Sequence, residues 1–133
     1  MTWSADTDLT SREVLAASAL SAYSVAAVAR GESAVTTYAV FRTMANAEIL
    51  ARFEGKGLTS GDLTNTAGLL ICEAYLALSK LFESVEQWTS DERGDIYALK
   101  HVHWQTRYDA EIASVQPSTN RLPIGRSFSW DRG

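Results

Sequence analysis

The residues with the most chemical potential in this 133-residue chain stand together in "HVHW", which supplies both of its histidines, His101 and His103. On a strand, imidazoles at i and i+2 share a side and could hold a metal ion. On a helix they stand roughly 200° apart and cannot share one. The surrounding segment has helical periodicity, and no second cysteine or third histidine exists to complete a ligand set, so no metal is expected. Cys72, the one thiol, lies inside an apolar run and reads as a small core residue rather than a nucleophile. No serine sits in a "GxSxG" elbow. "GKGLTS" at 55–60 lacks the spacing and the preceding strand of a phosphate-binding loop, and reads as a helix stop followed by a helix start. The acid pairs Asp91/Glu92 and Glu83/Glu86 read as cap and surface residues. Neither catalytic residues nor a cofactor is expected, and the chain does not read as an enzyme.

A composition of 46% hydrophobic and 21% charged residues describes an ordinary globular domain with enough length for a core. Glycine and proline are scarce and alanine is abundant, which favours helices. The net charge of −4 argues against broad nucleic-acid binding. Its distribution is uneven: residues 1–115 hold 9 Lys/Arg against 15 Asp/Glu, whereas residues 116–133 hold three arginines and one aspartate. One cysteine cannot form an intrachain disulfide, which suits a reducing cytoplasm. Asp6 and Asp8 do not fit a signal peptide, and no window approaches the ~20 apolar residues of a membrane span.

The expected fold is mainly α: a compact bundle of about four helices over residues 1–116, followed by an extended C-terminal tail at 117–133. Three Ser/Thr-x-x-acid tetrapeptides, Thr10–Glu13, Thr59–Asp62 and Thr89–Glu92, each precede an apolar periodic segment and have the form of a capping box. The first helix is expected over 11–29, alanine-rich and closed by Gly31, and the second over 33–54 with Tyr38, Phe41, Ala45, Ile49 and Phe53 on one face. The third, over 60–85, carries an apolar stripe of Leu63, Ala67, Leu70, Ile71, Ala74, Leu78, Leu81 and Val85, widened by Leu69, Cys72, Tyr75 and Leu76. A helix apolar nearly all round belongs at the bundle centre. The fourth, over 90–115, presents Tyr97, Trp104, Tyr108, Ile112 and Val115 and stops before Pro117.

The last thirteen residues, "RLPIGRSFSWDRG", have the opposite charge to the body. In an extended conformation Phe128 and Trp130 share one side and Ser127 and Ser129 the other. Arg121, Arg126 and Arg132 supply charge-assisted contacts to an acidic surface, and the two aromatics supply anchors. These five residues are the expected partner-binding site.

The order of "DLTSREVL", "ANAEILARF", "TAGLLICEAYLALSKLF", "WQTRYDAEI" and the extended tail resembles the small head–tail connector proteins of tailed bacteriophages, also called adaptors or head-completion proteins. The resemblance covers about residues 6–130. The first helix, rich in alanine and serine, and the short loops depart from that pattern. The resemblance implies a virion structural protein of the capsid–tail neck, made in the host cytoplasm. It further implies a ring of about twelve copies that binds the portal protein on one side and a stopper or tail-terminator protein on the other. DNA would pass through without sequence-specific binding, and no membrane is involved. The alternative from the residues themselves is a small cytoplasmic helical regulatory or DNA-binding protein, for which "KHVHWQTR" is the one candidate recognition segment.

Overall fold

A long helix with apolar side chains round most of its circumference needs other helices to cover it. That helix is α4 (Thr66–Glu86), and in this computed structural model, which describes residues 2–59, 63, 66–86 and 92–114, every other helix packs on it. Around it lie α1 (Asp6–Thr10), α2 (Ala16–Ala29), α3 (Ala39–Glu54) and α5 (Glu92–Ser114). No strand occurs among the described residues, so the bundle is mainly α as expected. α5 is the most extensive neighbour of α4 and contributes Tyr97, Trp104, Tyr108 and Ile112 to the core. α3 contributes Phe41, Ala45, Ile49 and Phe53, a four-residue spacing on one face. Ala16, Ala19 and Ala27 of α2 are buried, and their small side chains let that helix approach α4 closely. The expected tail at 117–133, together with Val115, lies outside the described residues.

Three expectations need correction. The helix expected over 11–29 begins only at Ala16, and a separate short helix, α1, precedes it at Asp6–Thr10 with Ser11 as its C-cap. Glu13 does not close a capping box with Thr10, because its carboxylate turns inward to accept from the Leu15 N–H at 3.0 Å and from Trp104. Asp8 does the capping instead, accepting from the Ala5 N–H at 2.7 Å. The second helix begins at Ala39, not Ser33. Val35, Thr36 and Thr37 are β-branched and lose rotamer freedom in a helix, and the Val35 N–H donates to Ser24 Oγ at 2.8 Å. On α4 the expected stripe holds over the later turns and fails over the first ones. Ala74, Leu78, Leu81 and Val85 are buried, but Ala67 is exposed and Leu70 and Ile71 are half-buried, the first turns being covered on one side only. Of the other two capping tetrapeptides, Asp62 and Thr89 lie outside the described residues.

Both expected stops are glycine-dependent. Gly31 has φ +87°, the Glu32 N–H reaches Ala27 O at 2.9 Å and the Gly31 N–H reaches Val28 O at 3.0 Å. Gly57 has φ +84° and repeats the pattern, with Leu58 N–H to Phe53 O and its own N–H to Glu54 O. This paired six-to-one and five-to-two bonding satisfies carbonyls that a helix end otherwise leaves orphaned, and its positive φ suits glycine.

A polar anchor lies inside the apolar helix. Glu73 of α4 is 0% exposed. Its carboxylate accepts from the Trp3 N–H at 3.1 Å, the Ser4 N–H at 2.8 Å, the Ser4 hydroxyl, and Asn46 Nδ2 of α3 at 3.0 Å. Arg42 adds a second tie: its Nε meets Asp6 Oδ1 at 2.9 Å, and its Nη1 donates to Thr2 Oγ1 at 2.9 Å and Ser4 O at 2.8 Å. The N-terminal lead is thereby strapped across α3 and α4.

Candidate functional site

Trp104 on the buried face of α5 carries an N–H that needs an acceptor once its ring leaves water. Glu13, from the link between α1 and α2, provides it at 2.9 Å. The same carboxylate oxygen meets Lys100 Nζ, one turn earlier on α5, at 3.1 Å. Burial pushes the Glu13 carboxyl up, but the Leu15 N–H, the Trp104 indole and Lys100 outweigh it and hold the group below its ordinary 4.5. The α1–α2 link is fixed to α5 through this one buried acid.

Above that junction runs an open groove of about 620 Å³. Its floor is aromatic: Tyr75 of α4 and Trp104 lie with ring centroids 5.4 Å apart. The Arg107 guanidinium lies over both rings, 5.1 Å from the Tyr75 centroid and 5.8 Å from that of Trp104, and Nη2 donates to Tyr75 Oη at 3.2 Å. His103 stands edge-on to Trp104 at 4.8 Å. Arg12 lines the opposite wall and donates to Asp8 O at 2.8 Å. Beside it Val14 is 87% exposed. Three cations, Arg12, Lys100 and Arg107, thus line the groove against one carboxylate, that of Glu13.

The two histidines go separate ways, as helical spacing requires: His101 Nδ1 meets Glu86 Oε1 at 3.0 Å, while His103 faces the groove. Among the described residues no group of three or more His, Cys, Asp or Glu is placed to hold a metal ion. Cys72 is fully buried, and burial pushes its thiol up to about 12, so at neutral pH it is a thiol and not a thiolate nucleophile. Gly55–Gly57 form the stop of α3, not a phosphate cradle. Arg121, Arg126, Phe128, Trp130 and Arg132, the expected partner-binding residues, lie outside the described residues. The groove itself was not foreseen, because Glu13 looks in sequence like half of a cap. Its available signal was a tryptophan on a buried helix face, which must find an acceptor somewhere.

No protein-family model, no curated protein and no solved structure matches this chain.

Proposed function

We propose that this protein is a head–tail connector of a tailed bacteriophage, a structural component of the virion neck. In this reading copies form a ring beneath the portal protein that extends the DNA channel, with a stopper or tail-terminator protein on the far side. The observation that carries it is the pairing of an acidic helical body with a basic, aromatic C-terminal segment, in the segment order that resembles this family. A body of net charge −6 is compatible with a channel wall along which DNA slides without adhering. The helical bundle, with no helix among the described residues long and apolar enough to cross a membrane, is compatible with it too.

A DNA-binding regulator draws no support from α5. In "KHVHWQTR", Lys100 is paired with Glu13 and His101 with Glu86, which leaves Arg107 as the segment's one cation without a carboxylate partner among the described residues. Gln105 accepts from Ser79 Oγ at 2.9 Å and donates to Asp109 at 3.2 Å. A recognition helix needs such side chains free for base edges.

Native mass spectrometry of the protein alone and mixed with candidate portal proteins tests the reading. A connector enters a multi-copy complex with a portal ring. A protein that stays monomeric or dimeric with every portal tried is not one.

A further inference from the structure

We propose that the groove over Tyr75 and Trp104 binds an acidic peptide segment of another protein, one carrying an aliphatic side chain beside its carboxylates. The charge is the first reason. On a body with six more acids than bases, Arg12, Lys100 and Arg107 are gathered in one trough. Glu13, its one lining carboxylate, already accepts from Leu15, Trp104 and Lys100. Among the described residues the Arg107 guanidinium meets no carboxylate, only the Tyr75 hydroxyl and two ring faces. A guanidinium stacked on aromatics is held in orientation while its outer N–H edge stays open, the arrangement that receives a carboxylate with two parallel hydrogen bonds.

Shape and apolar surface give the second reason. The trough is open along its length, which fits an extended chain better than an enclosed small molecule. Its floor is rigid, since Glu13 fixes the Trp104 indole. Its edge carries Val14, 87% exposed, and Leu99, 72% exposed, precedes the lining residue His103 by one turn of α5. Buried aromatic floors with an arginine beside them and apolar margins are where interface energy concentrates.

The sign of the charge decides among occupants. The chain's own segment 116–133 carries three arginines against one aspartate and would meet like charge here. A nucleic acid would need a continuous basic stripe, whereas Asp8 stands 3.8 Å from Arg12 and Glu13 3.1 Å from Lys100. An acidic peptide with a leucine or valine matches both the cations and the apolar edges. The proposal stands without the connector reading, for it needs neither a ring nor a portal, and each can fail alone.

Fluorescence anisotropy on the full-length protein tests it. The probe is a labelled peptide of roughly twelve residues, long enough for an extended docking segment, built from Glu, Asp and two leucines. Comparison probes are its Lys/Arg counterpart, a peptide of residues 117–133, and a single-stranded oligonucleotide. The acidic peptide is expected to bind saturably, to weaken as salt screens the groove, and to lose at least about tenfold in affinity in Arg107→Glu. Arg12→Glu, on a different element, repeats the measurement if Arg107→Glu fails to fold by circular dichroism. The proposal is overturned if the acidic peptide shows no saturable binding, or if both variants bind it as wild type does. It is overturned equally if the basic probe, the 117–133 peptide or the oligonucleotide binds as tightly. Sedimentation of the protein alone adds one more arm: self-association abolished by Arg107→Glu would make a second copy the occupant, against the proposal.

Discussion

At the scale of single residues, two buried acids, Glu13 and Glu73, tie separate segments of this chain together. Glu13 is held below its ordinary range, with burial opposing and three donors prevailing. A carboxyl depressed in the folded state contributes stability above its unfolded value, near 4.5, and that contribution is lost as pH falls through the lower folded value. Glu13→Gln should therefore melt below wild type at pH 7, by an amount corresponding to about 1–3 kcal/mol for disturbed hydrogen bonds to a buried charged group. The gap should narrow as pH falls below the ordinary carboxylate range, where wild type also loses the charge. Thermal melts of both proteins from acid to neutral pH measure it; a gap that stays constant or widens in acid would show that the charge itself does not matter. Glu13 was legible only as a helix-start residue, since the tetrapeptide Thr10–Glu13 has the form of a cap and the acceptor role depends on a tryptophan ninety-one positions away. Glu73 leaves a clearer mark in the sequence. A lone acid inside "LLICEAYLAL" breaks the apolar pattern, and a buried charge demands partners. The partners themselves, Trp3, Ser4 and Asn46, come from the lead and from α3 and are not visible in any local window.

At the scale of helices, periodicity carried most of the information. The faces on α3 and α5 and the central position of the third expected helix, now α4, follow from three- and four-residue spacing, and both glycine stops follow from the need for positive φ. Starts were read less well, because a capping tetrapeptide competes with tertiary partners for the same side chains. Asp8 caps α1 while Glu13 is drawn into the core, and a β-branched run delays α3 to Ala39. The departure over the first turns of α4 has a similar origin: the sequence marks which residues are apolar, but which of them face inward depends on where the neighbouring helices lie. Leu78 is on the lane that both accounts share, and it is 0% exposed. Leu78→Ala should destabilise the protein by about 2–5 kcal/mol, the range for a truncated core leucine whose cavity collapses only in part. Chemical denaturation followed by circular dichroism gives the value. A change within ordinary surface scatter would place α4 at the periphery.

At the scale of the molecule, the buried side chains among the described residues run from Ser4 to Ile112 and draw on all five helices. The connector proposal assigns the C-terminal segment to docking rather than to this core. Residues 121–133 combine three arginines with Phe128 and Trp130 at alternate positions, so an extended chain offers both aromatics on one side and charge-assisted donors beside them. Such a segment gains by adding to a neighbour's strand edge or inserting its rings into a neighbour's pocket. The like charge of the Arg12, Lys100 and Arg107 groove disfavours docking there on the same body. Deleting 121–133 should thus leave the far-UV helical signal and the melting temperature close to those of the full chain. The same deletion should remove the protein from complexes with a portal or with neighbouring copies. The two readouts answer different questions: circular dichroism and melting report whether the segment completes the bundle, and native mass reports whether it docks. A truncated protein that unfolds places the segment in the core, and one that assembles as the full chain does places the docking contact elsewhere on the body.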